Sequence, residues 1–507
     1  MKKKIILLIN CLAVFLLGYA QQTVNTASSP VLDSIAETKP DESVTKHTIK
    51  IDGKLINYTA TAGTMILKNE KGESVALFGF IAYTKEGETD LAKRPVTFAY
   101  NGGPGSSSMW LHMGALGPRR VVINDANLTP APPYVVQDNE YSLLDVTDLV
   151  MVDPVGTGLS RPIGKAIGKD FWGVDQDIKS VSQFITQYVT QYDRWNSPKY
   201  LLGESYGTPR TAGVVDYLQG NVSMQVNGVI LVSSCLDYNL DSHEDISNVV
   251  YLPTYAAIAF YYNKIPNRPA DLETFLKEVR TYAGNEYAAA LFKGDRLSES
   301  EKLQEMAKLA AYTGLNKDYL DKANLRVSPS QFRQELLRED RQMIGRYDAR
   351  FKGIIPDLLA ENAEDDPQSS QISPAFVSSF MNYFYGDLKV NKTHVYNVNA
   401  YHTEGFSWEW KHAKNDQESE AMDTRVDLKE AMSKNPNLKI LVFNGYYDLA
   451  TPFFATEYTF DHLGLDKKIQ NNITMKYFPA GHMMYVNPGS LKAFKENAAA
   501  FILSMSK

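Results

Sequence analysis

The run Lys199-Tyr200-Leu201-Leu202-Gly203-Glu204-Ser205-Tyr206-Gly207, continuing into Thr208 to Leu218, decides how the chain is read. Residues 199–202 have the make-up of a buried strand, and residues 208–218 that of a helix. A serine between them, with glycine two positions to either side, is expected at a sharp strand-to-helix turn that lifts its hydroxyl to the tip. The small flanking residues relieve the crowding of such a turn. A hydroxyl held there is badly placed for packing and well placed for attack on a carbonyl. The competing reading is a tight turn with an idle serine, so the decision passes to the surrounding sequence.

Outward from this turn, buried strands alternate with helices. Arg94–Tyr100, Asp148–Asp153, Val226–Val232, Lys439–Asn444 and Ile473–Phe478 read as strands, and Asp175–Arg194 carries Ile178, Val181, Phe184, Ile185 and Val189 at helical spacing. Such alternation implies an α/β fold, with a mostly parallel sheet covered by helices on both faces. Ahead of it, Lys46–Lys93 reads as an antiparallel meander, with Thr48–Ile51 and Ser74–Thr84 as strands. Helical patterns dominate from 246 to 390, with capping boxes at Ser298…Glu301 and Ser328…Gln331, which predicts a mainly helical insertion. Glu361–Ser373 contains the acidic run Glu364-Asp365-Asp366 and is expected to be a solvated loop. A helix over Leu491–Ser504 closes the chain. The predicted organisation is a signal at 1–20, a flexible leader at 21–45, the core at 46–245 and 391–507, and the insertion at 246–390.

The 507 residues are enough to bury a large core. Lys2, Lys3 and Lys4, the apolar run Ile5–Leu17 and the small residues Gly18 and Ala20 have the pattern of an export signal cleaved before Gln21. The apolar run is shorter than the ~20 residues of a membrane span. Its removal takes away three lysines and no acid, which moves the formal charge from −7 to −10. An acidic surface without a basic stripe argues against nucleic acid as a partner. Cys11 and Cys235 are the only cysteines, so the exported chain forms no internal disulfide. A large exported protein of that kind suits a bacterial envelope, which makes a periplasmic or extracellular location the expectation. Cys235 itself reads as an inert buried thiol.

A serine hydroxyl needs a base to take its proton. His482, in Ala480-Gly481-His482-Met483-Met484, follows the strand Ile473–Phe478, and a loop at the carboxyl end of a strand is where an α/β sheet holds working groups. Asp448 follows the strand Lys439–Asn444 in the same way and would orient the base. The order Ser205, Asp448, His482 is that of the α/β-hydrolase arrangement. His112, His402 and His412 read as packed or surface residues. An oxyanion needs donors aimed at it. The N–H of Tyr206 is one, and the loop Asn101-Gly102-Gly103-Pro104-Gly105-Ser106-Ser107-Ser108 offers another, because its glycines let backbone approach closely. That loop lacks the lysine of a phosphate-binding loop.

With these stretches in view, the chain resembles the serine carboxypeptidase family of α/β-hydrolases, as a bacterial-type member. The matching segments are Asn101–Ser108, Gly117-Pro118, Val152–Ser160, Gly203–Gly207, Asp448 and Gly481-His482-Met483. The resemblance implies that Ser205 is the nucleophile, His482 the base and Asp448 its orienter. It implies oxyanion N–H groups from Gly103 and Tyr206, and a grip on the substrate's terminal carboxylate by Asn101, the Gly102 backbone and Glu204. The helical insertion would be the cap. No cofactor and no metal are implied, the partners would be peptide or protein C-termini, and no oligomeric state follows. Two departures stand out. Ser106 occupies a position usually held by Cys, and Ala115-Leu116-Gly117-Pro118 replaces the family's E-x-G-P, so the acid that shares a proton with the residue at Glu204 is absent. Arg119 and Arg120 follow directly. An esterase or acyltransferase, or a catalytically idle binding protein, can be built on the same scaffold.

Overall fold

The computed structural model describes residues 40–241, 244–266, 268–415 and 421–505. The predicted export signal, Cys11 and residues 21–39 of the leader lie outside the described residues. In chain order the strands are β1 (Glu42–Ile51), β2 (Lys54–Lys68), β3 (Ser74–Lys85), β4 (Val96–Tyr100), β5 (Arg119–Val121), β6 (Val136–Asp138), β7 (Asp148–Asp153), β8 (Arg161–Pro162), β9 (Lys199–Glu204), β10 (Gly228–Val232), β11 (Gln342–Ile344), β12 (Lys352–Ile354), β13 (Lys439–Gly445) and β14 (Ile473–Phe478). The main sheet runs β1-β2-β3-β7-β4-β9-β10-β13-β14, with β8 paired to β3. From β7 to β14 every pairing is parallel, and from β1 to β7 every pairing is antiparallel.

The apolar runs of the parallel strands are divided between two layers because alternate side chains leave a strand on opposite faces. Tyr200, Leu202, Ile230, Val232 and Phe443 pack with Phe494, Ala498 and Ile502 of the helix Pro488–Met505. Leu201, Val229, Leu231 and Val442 pack on the other side with Ile178 and Val181 of the helix Val174–Gln191 and with Val214 and Leu218 of the helix Gly207–Asn221. Full burial of one such side chain stabilises by about 1.5–3 kcal/mol, so these two layers hold the sheet. The α/β architecture read from the sequence is the one observed.

The antiparallel wing starts earlier than expected. β1 begins at Glu42, inside the segment read as leader, and its ladder with β2 runs from Glu42↔Gly63 to Ile51↔Lys54. Its first seven residues are exposed or half-buried, so they carry no hydrophobic period. Backbone pairing with β2 and polar side-chain contacts, among them Ser43 Oγ donating to the Leu388 carbonyl and the Tyr192 hydroxyl donating to Glu42, extend the strand there.

Between β10 and β13 the chain forms helices, among them Asp245–Tyr261, Leu272–Tyr282 and Glu299–Thr313, and the small hairpin β11–β12. They share a separate apolar core that includes Val250, Ile258, Phe275, Leu276 and Phe332. Both predicted capping boxes form, at Ser298 with Glu301 and at Ser328 with Gln331. The expected solvated loop Glu361–Ser373 needs correction. From Pro367 onward it is the start of a helix, Pro367–Gly386, with proline in the first turn and Asp366 as the cap. Asp366 accepts from the N–H and hydroxyl of Ser369 and from the N–H of Arg346. A polar stretch whose side chains satisfy a helix start resembles a loop in composition. Asp366→Ala is therefore expected to lower stability by about 1–2 kcal/mol, read as a lower urea midpoint in equilibrium unfolding.

Candidate active site

Ser205 lies between the end of β9 and the helix Gly207–Asn221, with φ of +59°. For a residue with a Cβ this left-handed conformation costs of order 1–3 kcal/mol, and surrounding contacts must impose it. The Ser205 N–H donates to the Val232 carbonyl at 2.9 Å, and its carbonyl accepts from the N–H of Thr208 at 2.7 Å. The flanking glycines are required by close approach. A Cβ on Gly203 would sit 2.1 Å from the Gly207 carbonyl oxygen, and one on Gly102 would sit 2.3 Å from the Tyr206 nitrogen. The strand end, the helix start and the glycine-rich loop after β4 are thus pressed together around one half-buried serine.

His482 and Asp448 come to the same place from the loops after β14 and β13. The imidazole Nδ1 lies 2.8 Å from Asp448 Oδ2. Asp448 is fully buried, and both of its oxygens are occupied. Oδ1 accepts from the N–H groups of Ala450 and Thr451 at 2.8 and 3.0 Å, and Oδ2 accepts from the Thr451 hydroxyl at 2.6 Å. Burial pulls the His482 pKa down, but the charge and hydrogen bond of Asp448 outweigh it, so His482 is more basic than a free histidine. The backbone fixes the ring's position as well, since the His482 N–H donates to the Tyr347 carbonyl and its own carbonyl accepts from Ser233.

On the other side of Ser205, Asn101 and Glu204 are both buried, and Asn101 Nδ2 donates to Glu204 Oε1 at 2.8 Å. Asn101 Oδ1 accepts from the N–H of Leu111. Burial pushes the Glu204 carboxyl up to about 7, against the opposing influence of His482 and of hydrogen bonding by Tyr485 and Asn101. Behind them Arg210, fully buried, donates to Asp177 at 2.6 Å and to the Asn101 carbonyl at 2.7 Å, its guanidinium lying near the rings of Tyr100 and Tyr206. Asp153 braces the glycine-rich loop by accepting the N–H and hydroxyl of Ser108, both at 2.8 Å, and burial raises its pKa to about 6.

Two cavities meet at Ser205. One, of about 220 Å³, is lined by Asn101, Gly102, Gly103, Glu204, Ser205 and His482, and closed by Trp110, Tyr347, Gln368, Ile372, Tyr401 and Met483. The other, of about 350 Å³, is lined by Gly103, Ser205, Tyr238, Arg346, Tyr347, Tyr401, Phe406, Trp408, Trp410 and Thr451. All eight site residues predicted from the sequence are gathered here: seven line a cavity or bond to one that does, and the Tyr206 N–H abuts Gly102. Arg119 and Arg120 are not. They sit on β5, and neither lines a cavity beside Ser205. Cys235 is half-buried rather than buried and lines the larger cavity, but burial pushes its thiol up to about 12, which keeps it protonated, in keeping with an inert thiol. His112 is a buried core residue bonded to Tyr83. The aromatic walls went unrecognised in the sequence. Their only local sign was the clustering of Phe406, Trp408 and Trp410 near His412.

A family model described as serine carboxypeptidase matches residues 60–486. The pheromone-processing carboxypeptidase KEX1 of Yarrowia lipolytica is 26% identical over 215 residues, which is 41% of this chain; the chain spans about a third (32%) of the length of that relative. The crystal structure of Kex1(delta)p, a prohormone-processing carboxypeptidase from Saccharomyces cerevisiae, superposes with a TM-score of 0.53 at 16% identity, over 88% of this chain and 92% of that one. That likeness shows the fold.

The geometry generates a direct test. Ser205→Ala should fold as the parent does and lose turnover by a factor on the order of a million, His482→Ala should be nearly as damaging, and Asp448→Asn should retain more residual rate. Steady-state kinetics with matched melting temperatures would check this. Undiminished hydrolysis by Ser205→Ala would remove Ser205 from the chemistry.

Proposed function

The chain belongs to the serine carboxypeptidase family, and on that premise we propose that it removes residues from peptide C-termini through an acyl-enzyme formed on Ser205. The observation that carries the proposal is that Asn101, Gly102 and Glu204 share one small cavity with Ser205 and His482. The Asn101 amide and the Gly102 N–H can donate to a carboxylate, and Glu204 can do so while it holds its proton. A free C-terminus seated there brings the last peptide bond, and no internal one, over Ser205. The leaving residue then occupies the 220 Å³ cavity, against Trp110, Ile372 and Met483. The side chain before the scissile bond enters the 350 Å³ cavity, among Tyr238, Trp408 and Trp410.

In this reading His482 takes the Ser205 proton as the hydroxyl attacks, and the N–H groups of Gly103 and Tyr206 receive the oxyanion. His482 then gives its proton to the leaving amine. Water, activated by the same histidine, releases the shortened peptide from Ser205. Asp448, fixed by four hydrogen bonds, holds the ring and steadies its charged form. The segment between β10 and β13 serves as the cap, because Tyr347, Gln368 and Ile372 from it close the cavity. Export, read from residues 1–20, would place this activity in the periplasm or outside the cell.

Holding the carboxylate converts binding energy into rate at the reacting bond. A peptide with a free C-terminus should be trimmed one residue at a time, and its C-terminal amide cut far more slowly. Asn101→Ala should narrow the gap between the two. Mass spectrometry of the products reads both effects. Equal cleavage of acid and amide by the parent enzyme would overturn the carboxypeptidase assignment and favour an esterase or acyltransferase.

A further inference from the structure

At the carboxylate grip two buried oxygens, Glu204 Oε2 and the hydroxyl of Tyr485, make no hydrogen bond of full geometry, although they lie near enough for the phenol to lower the Glu204 pKa. A buried polar group without a partner costs stability, and such groups are rare in folded proteins. These two are not scattered. The Tyr485 phenol lies against Glu204 and Asn101, which puts Glu204 within reach of its hydroxyl. Tyr485 belongs to the 3-10 turn Met484–Val486, which starts two residues after His482. Its ring reaches this position because residue 114 is glycine, as a Cβ there would sit 2.3 and 2.5 Å from two of the ring carbons. The next residue is Ala115, too short to offer Glu204 a polar partner.

We propose that Tyr485 is a positioning residue of the carboxylate grip: its hydroxyl donates to Glu204 Oε2 and sets the pH above which a free C-terminus is no longer accepted. The proposal rests on the carboxypeptidase reading. The phenol is buried and stays protonated, since burial moves its own pKa far upward. It is therefore a constant donor. With Oε2 engaged, the proton of a neutral Glu204 is left on Oε1, the oxygen beside the Asn101 amide. The groups that face Glu204 are His482, Asn101, Tyr485 and, further off, Asp448. Asn101 is neutral, and His482 and Asp448 act on every substrate alike.

The sign follows from what each group stabilises. A donor to Glu204 favours its ionised form, so removing the donor lets Glu204 keep its proton to higher pH. A neutral Glu204 accepts a substrate carboxylate, whereas an ionised one repels it. The readout is the ratio of kcat/KM for a blocked dipeptide acid to that for its methyl ester, followed from pH 5 to 9.5. His482 cancels in that ratio. In the parent the ratio should fall with a midpoint near 7, the value at which Glu204 loses its proton. In Tyr485→Phe the midpoint should move up by about one pH unit, a tenfold gain in the ratio on the alkaline side. Phenylalanine keeps the ring against Gly114, and a melting curve checks the fold. Gly114→Ala, which drives the ring away, should shift the midpoint in the same direction. Glu204→Gln should make the ratio independent of pH. A midpoint that stays put or falls in Tyr485→Phe, while Glu204→Gln flattens the profile, overturns the role of Tyr485 and leaves the carboxypeptidase reading intact. A ratio independent of pH in the parent, with acid and amide cut equally, overturns both.

Discussion

The site depends on a backbone constraint: a serine held at positive φ between two glycines that touch. Gly203 and Gly207 are in contact across the turn, and Gly102 lies against the Tyr206 nitrogen, so three chain segments converge with no room for a side chain. That contact keeps Ser205 in a conformation it would not adopt alone. It also puts the glycine-rich loop beside the Tyr206 N–H, the place of the proposed oxyanion site. The parallel strands on either side position the remaining groups. β13 and β14 end in the loops that bring Asp448 and His482 together, and β4 ends just before Asn101.

Around this constraint the charges are arranged so that each has a defined partner or a defined proton. Asp448 is saturated by donors. Arg210 is spent on Asp177 and on the carbonyl of Asn101, which makes it a brace and not a ligand. Glu204 differs, because burial holds its proton at pH values where an exposed carboxylate has long lost it. A carboxyl of that kind, set beside a neutral amide, forms a surface that can meet a negative terminus without repelling it. The acid that the family resemblance implies at Ala115 is missing, but burial of Glu204 supplies part of its effect.

The sheet, and the convergence of Ser205, Asp448 and His482 at its strand ends, were legible because their signals are local. β4, β7, β9 and β10 are buried along their whole length, and such runs identify themselves. The turn at Ser205 and the loops at Asp448 and His482 follow strand ends directly. What escaped depends on long-range pairing. The first residues of β1 have no hydrophobic period, the helix at Pro367 begins in polar sequence, and Tyr485 meets Glu204 only once the chain is folded. His412 is the clearest case. Burial lowers its basicity, but its bonds to Asp175 and Asp427 raise its pKa to about 9, and it ties down the loop that carries Trp408 and Trp410. Asp175 is 237 residues away in sequence. No pattern around His412 announces that bond.

The central claim is that one serine, presented by its turn and activated by His482, serves a cavity shaped for a free C-terminus. Labelling with a fluorophosphonate, followed by peptide mapping, tests both halves at once. The account predicts a single stoichiometric adduct on Ser205, lost in His482→Ala, and slowed by a competing peptide acid but hardly by its amide. An adduct on another residue, or equal protection by acid and amide, would contradict it.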